Sequence, residues 1–218
     1  FQAGVLFLPV GILQAITAPI SGLLSDKLDP KVPAGIGIIL LALSLFINSM
    51  LSLYSEHNQI VLSLYIRGFA MGLMFTPLSV AALSNIPKHK IGQASGLFNV
   101  IRQLGGSFGI AFMSTMLLRR TIYHMSTYSQ VVNQQSDVFH QVAQHLTRFS
   151  MNALGGNQTL AAMRAKALIA SHISTQAFIE AVCDDFLVAS IITIVAIVPI
   201  LLLRTKKKQK SEHVVVAE

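Results

Sequence analysis

Gly68-Phe-Ala-Met-Gly-Leu-Met-Phe-Thr-Pro77, followed after a short basic turn by Gly96-Leu-Phe-Asn-Val-Ile-Arg-Gln-Leu-Gly-Gly-Ser-Phe-Gly109, decides how this chain is read. Both stretches are apolar, yet they hold glycines, a proline and an arginine. In water such residues weaken a helix. In a bilayer small residues let helices approach closely, and neighbouring helices satisfy the backbone groups that a proline frees. The rest of the chain agrees with the second setting: 53% of residues are hydrophobic, only 11% are charged, and the mean hydropathy is +0.62. Soluble domains carry about 25% charged residues, so a water-exposed surface on a chain of this size is not available.

Crossing a bilayer takes roughly 20 apolar residues. Runs of that kind lie at Gly4–Leu24, Val32–Leu53, Ile60–Leu83, Ala94–Leu118 and Phe186–Leu203, so the expected fold is all-α and integral to the membrane, with five transmembrane helices. The third run carries Arg67 and the fourth Arg102; the other three carry no charge. A soluble helical bundle is the alternative that this composition disfavours. The first run has no basic segment before it and a second long apolar run soon after, so it reads as a span and not as a signal peptide. Because the chain opens on Phe1, it is expected to be a piece of a longer protein. The expected organisation is then four spans with short loops over 1–118, a long extracytoplasmic loop with a short helix over 119–185, a last span over 186–203 and a basic cytoplasmic tail over 204–218.

Lys27, Lys31, Lys88, Lys90, Arg204, Lys206, Lys207, Lys208 and Lys210 fall on one side of such a topology, while the short loop Tyr54–Gln59 has no Lys or Arg. The first side, including the C-terminus, is therefore expected in the cytoplasm. Arg119, Arg120, Arg148, Arg164 and Lys166 lie in the long outer segment, where charge does not set orientation. The net charge of +7 comes mainly from this asymmetry. It does not point to nucleic acid, and the tail reads as a membrane-edge anchor that meets anionic lipid.

The segment 119–180 has the most polar character. Thr121–Gln144 is rich in Gln, Ser and His, Asn152–Gly156 interrupts it, and Gln158–Ile179 repeats alanine and leucine at helical spacing, which predicts a short helix. His140 and His145 lack metal-spaced partners and read as solvated. Asn157-Gln-Thr159 fits a glycosylation pattern that matters only in a eukaryotic secretory route. Cys183 stands alone, which rules out an intrachain disulfide and suits a small packed residue.

Within the third span Arg67, Met71, Met74, Phe75 and Leu78 share one helical stripe, with Gly68 and Gly72 beside it as a helix-packing face. Pro77 is expected to bend the helix, with Thr76 helping to satisfy the freed backbone group. A Met and Phe stripe beside a bend suits a pocket for varied apolar ligands, and equally suits ordinary packing. In the fourth span Ser95, Asn99, Arg102, Gln103 and Gly106 share a face, and Gly105 with Gly109 make another packing face. A charge mid-span costs roughly 2.5–3.5 kcal/mol on insertion scales, so Arg102 should face protein or a hydrated cavity, or else snorkel to the cytoplasmic edge. Arg67 snorkels more easily, towards the outer end. The candidate substrate cavity is thus Met71, Met74, Phe75, Asn99, Arg102 and Gln103. Asp184 and Asp185 border the last span and read as helix-end carboxylates facing water, with an outer proton entry as the alternative.

The turn Gly22-Leu-Leu-Ser-Asp26-Lys27-Leu-Asp29-Pro30-Lys31 resembles the cytoplasmic Gly-x-x-x-Asp-Arg/Lys loop motif of the major facilitator superfamily. It departs from that motif at Lys27, where arginine is commoner, and at Asp29-Pro30, where glycine and arginine are usual. With Arg67–Gly72, Asn85-Ile-Pro87 and Gly96–Gly109 in this order, nearly the whole chain is similar to the C-terminal part of fourteen-helix drug:proton antiporters of the EmrB/QacA type. The resemblance implies that Gly22 lets helices approach, that Asp26 pairs with a neighbouring helix end or basic residue, and that Lys27 and Lys31 help to latch one conformation. It also implies most of a C-terminal bundle, a proton gradient in place of any cofactor, and proton-coupling acids chiefly in a preceding N-terminal bundle. The implied partners are that bundle, membrane lipid and a small-molecule substrate, in a bacterial inner membrane. Neighbouring genes for a periplasmic adaptor and an outer-membrane channel would make it part of a tripartite pump.

Two function classes remain from the sequence. One is proton-driven export of lipophilic drugs or related compounds, or of a native metabolite, by rocking of two bundles around a midplane site. The other is a polytopic membrane enzyme acting on lipid-linked substrates, against which stands the lack of clustered carboxylates or of any Ser/His/Asp or metal-spaced set in 119–185. No span carries the acid ring or carbonyl filter of a pore.

Overall fold

A computed structural model of the chain describes residues 2–55, 57–84, 86–131, 137–153 and 158–202. Asn85, Asn157 and the basic tail, which carry readings above, lie outside the described residues. The elements in order are α1 (Gln2–Lys27), α2 (Lys31–Asn48), α3 (His57–Leu83), a 3-10 turn at Lys88–Lys90, α4 (Ile91–Val131), α5 (Asp137–Ala153), α6 (Gln158–Val195) and α7 (Ile197–Leu202), with no strand among the described residues.

Asp29 and Pro30 act as a helix start. Asp29 Oδ1 accepts from the Lys31 backbone N–H at 3.1 Å, which satisfies one of the donors left open at the first turn of α2. Proline explains another boundary. Pro199 has no N–H for the carbonyl of Val195, and α6 gives way to α7 at Ala196.

Among the described residues, four segments are long and apolar enough to cross a membrane: Phe7–Lys27, Lys31–Asn48, Asn58–Leu83 and Gln158–Leu202. The expected span at 94–118 is helical throughout, as part of α4. Its Asn99, Arg102, Gln103 and glycines make it more polar than those four. What lies inside and outside supports the membrane reading. Many of the buried residues in the apolar runs are small, with Ala34, Ala42, Ala70, Ser21, Ser44 and Ser63 each below 5% exposure, while Leu104, Phe108, Ile110 and Leu202 are at least 65% exposed. Burying alanine while exposing leucine and phenylalanine is unfavourable in water and is what lipid-surrounded helices do.

The segment 119–185 is far more helical than a long loop with one short helix. Residues 119–131 continue α4 to 41 residues, α5 follows, and the helix predicted at 158–179 is the first part of the 38-residue α6. The physical reason is that no Gly or Pro occurs from Ile110 to Val131, within α5 or from Gln158 to Val195, so the strongest helix breakers are absent from these stretches. At 1.5 Å per residue α4 is about 60 Å long, twice a hydrocarbon core of about 30 Å, so it is longer than one crossing needs.

Packing divides the chain into two compact units. One draws on α1, α2, α3, α4 up to Gly106, and the end of α6 with α7. The other draws on the connection after α2, α4 from Ser107, α5 and most of α6. In the first unit, hydroxyls tie helices together. Ser44 donates to the carbonyl of Ser63 at 2.8 Å, linking α2 to α3, and Ser190 donates to the carbonyl of Ala42 at 2.9 Å, linking α6 to α2. In the second unit, the Cys183 thiol donates to the Leu51 carbonyl at 3.0 Å, so this half-buried cysteine is a tether as well as a packed residue.

Candidate functional site

The α1–α3 contact is built on glycine. A Cβ placed on Gly68 would lie 2.8 Å from the Val10 carbonyl oxygen, and one on Gly72 would lie 2.6 Å from Thr17 Cβ and 3.0 Å from the Gln14 carbonyl oxygen. No side chain fits there. Gly37 plays the same part between α2 and α3, since its Cβ would meet the Ala70 carbonyl oxygen at 2.9 Å and Met74 Cβ at 3.0 Å. Pro77, inside α3, removes the N–H that would have bonded the Leu73 carbonyl. The replacement donor is Ser21 of α1, whose Oγ lies 2.8 Å from that oxygen with both groups buried. The freed group is thus satisfied from a neighbouring helix and not by Thr76.

The Met and Phe stripe of α3 divides. Met74 and Leu78 pack against Ala34, Ile38 and Ile200, whereas Met71 is half-buried and Phe75 exposed. Close approach of α2 at Gly37 is what draws Met74 into the packing. On α4, Asn99, Arg102 and Gln103 are all exposed. A Cβ on Gly105 or Gly109 would meet nothing within 4 Å, so the described chain places no helix on that face. Gly22 of the loop motif sits opposite Thr76, where an added Cβ would make an ordinary contact at 3.7 Å. Asp26 and Lys27 are exposed and Lys31 is half-buried.

A third grouping is absent from the sequence reading. Arg120, His124 and Tyr128 lie four apart on α4, and Gln176, Glu180 and Asp184 lie four apart on α6, so each set forms a stripe. The stripes meet. His124 Nε2 is 2.8 Å from Asp184 Oδ2, His124 Nδ1 is 3.3 Å from Glu180 Oε2, and Arg120 Nε is 3.6 Å from the same Asp184 oxygen. Glu180 also accepts from the Tyr128 hydroxyl, and that hydrogen bond holds the phenol above its usual pKa, with burial and the Glu180 charge adding to it. Asp185 was expected to face water, yet its Oδ1 is buried and has no hydrogen-bond partner among the described residues. The two i, i+4 series were the signal that would have found this cluster; the reading of 119–144 as loop hid it.

Compared with known proteins, the family model described as Major Facilitator Superfamily matches residues 1–110. The chain is 28% identical to an uncharacterized MFS-type transporter, YhcA, of Bacillus subtilis, over 96% of this chain and 39% of that protein. It is 27% identical to the fatty acid resistance protein FarB of Neisseria gonorrhoeae, over 89% of this chain and 37% of that protein. It is 28% identical to the multidrug export protein EmrB of Haemophilus influenzae, over 81% of this chain and 33% of that protein. The chain thus spans well under half the length of these relatives.

Proposed function

The chain belongs to the Major Facilitator Superfamily, and on that premise we propose that the intact protein exports lipophilic or amphipathic small molecules in exchange for protons. The observation that carries the proposal is the exposed Asn99, Arg102 and Gln103 face on an otherwise apolar helix. A guanidinium at membrane depth is costly unless it meets water or protein, and in a family of transporters a hydrated substrate cavity between two bundles supplies that setting. The relatives named for multidrug export and for fatty acid resistance support an apolar or amphipathic cargo. Met71 and Phe75, which are not taken up in the helix core as Met74 is, form the apolar side of the cavity, and Asn99, Arg102 and Gln103 the polar side. Transport, not enzymatic turnover, is the activity.

The partners in this reading are an N-terminal bundle of the same protein, membrane lipid and the cargo, in a bacterial inner membrane with the C-terminus in the cytoplasm. In a double-membrane bacterium a periplasmic adaptor and an outer-membrane channel would complete the pump.

The test is accumulation of a lipophilic cationic dye, and separately of a medium-chain fatty acid, in cells expressing the intact protein. Lowered accumulation that disappears when the proton gradient is dissipated is the expected result, and Arg102→Ala should remove it without loss of protein. Arg102→Lys should restore it only in part, because ammonium does not reproduce the guanidinium fork. Efflux that survives uncoupling would overturn proton coupling and leave a facilitator. Full activity in Arg102→Ala would return Arg102 to a structural role.

A further inference from the structure

We propose that His124, with Asp184 and Glu180, forms a proton-binding site on α4 beyond its apolar run, the station at which the coupling proton is taken up from the outer medium. This rests on the proton-coupled reading above. Neutral imidazole has one N–H and one bare acceptor nitrogen; only imidazolium donates from both. Both ring nitrogens of His124 face a carboxylate oxygen, at 2.8 Å to Asp184 and 3.3 Å to Glu180. Nε2 makes a hydrogen bond to Asp184 and Nδ1 stands at ion-pair distance from Glu180, so a ring that has taken up a proton faces a carboxylate at each nitrogen. Loss of that proton sets a nitrogen lone pair against a carboxylate and weakens one of the two contacts that His124 makes with α6. The exchange balances without a co-reactant: hydronium gives a proton to the imidazole and leaves water.

The site has one wet side and one dry side. The side chain of His124 is 17% exposed and those of Asp184 and Glu180 are 33% and 39% exposed, which lets water reach the carboxylates. Next along α6, Asp185 Oδ1 is buried without a hydrogen-bond partner among the described residues, at the start of the apolar stretch from Phe186. A buried carboxylate oxygen without a donor is costly as an anion and is relieved when it takes a proton. The other titratable and charged groups facing the site are Arg120, Tyr123 and Tyr128 on α4 and Cys183 on α6; His140, His145 and Arg148 of α5 are exposed. Arg120 offsets one of the carboxylates at Asp184. Among the described residues no His, Cys, Asp and Glu set converges on a metal position.

The experiment uses the intact transporter in proteoliposomes, with the dye of the preceding section as cargo and two readouts: uphill export driven by an imposed proton gradient, and cargo counterflow without one. His124→Gln is expected to lose driven export while counterflow persists. Asp184→Asn, which keeps the side chain's shape, is expected to do the same and decides the matter if His124→Gln does not yield folded protein. Driven export that persists in either folded variant overturns this site while leaving the proton-coupled reading intact. Loss of counterflow together with driven export in both variants makes the cluster structural and also overturns it. A wild type with no driven export overturns the proton-coupled reading, and this site with it.

Discussion

Helices α1 and α3 meet through glycines and hydroxyls, whereas α4 and α6 meet, beyond the apolar run of α4, through a histidine, carboxylates and an arginine. The difference follows from solvent. Where lipid surrounds the helices, apolar contact gives no advantage over lipid contact, so association relies on close backbone approach at Gly68 and Gly72 and on bonds such as Ser21 to Leu73. Where the charged side chains are partly exposed, water is near enough to carry the cost of ionised groups, and the attraction between charges is correspondingly weak. One contact is therefore intolerant of size and the other tolerant of charge changes. Stability should depend on the first, and chemistry on the second.

The strongest way to break the comparison is at Gly72. Gly72→Leu forces a side chain to where an atom already stands 2.6 Å away, so folded protein should be nearly lost on size-exclusion of the detergent-solubilised intact protein. Overpacking of this kind costs about 1–3 kcal/mol or more. A normal yield would mean that α1 does not lie on this face. Gly105→Leu sharpens the point. Nothing among the described residues opposes it, so any fall in yield should appear only when the N-terminal bundle is present.

Next in size is the pairing of Ser21 with Pro77. Ser21→Ala leaves the buried Leu73 carbonyl without its donor, a loss of about 1–3 kcal/mol, read as a lower thermal transition. Pro77→Ala restores a backbone N–H for the same oxygen, so Ser21→Ala should cost much less in that background. Additive losses would show that Ser21 does not serve the carbonyl freed by Pro77. The smallest effect belongs to the charged contact. Arg120→Gln removes a pair whose side chains are 47% and 33% exposed and should shift stability by less than about 1 kcal/mol, and less still at high salt. A loss comparable to that of Gly72→Leu would erase the contrast between the two contacts.

Much of this molecule is legible along the chain because it rests on local rules. Apolar length marks the spans, four-residue glycine spacing at Gly68 and Gly72 marks a small face, and Asp29-Pro30 marks a helix start. None of these depends on where another helix lies. The same rules misled where a signal was only statistical. Polar composition suggested loop for Thr121–Gln144, yet without Gly or Pro the helix runs on through Val131, because backbone hydrogen bonding continues wherever nothing interrupts it.

Tertiary structure decided the pairings. Periodicity shows that Ser21 lies on a face of α1 and that Pro77 frees a carbonyl in α3; that one serves the other across 52 positions is a matter of helix placement. The same holds for Met74, which belongs to a stripe in sequence but is claimed by Ala34, Ile38 and Ile200 in space, and for His124, 60 positions from Asp184. Composition and spacing determined that this chain is helical and lies in a membrane, since each follows from the free energy of residues in lipid, summed locally; its place among the facilitators rests instead on motif resemblance and on the family match over residues 1–110. Which groups share a hydrogen bond or a proton was settled only by the fold, because contacts between distant residues depend on the packing of whole helices and not on any stretch of sequence taken alone.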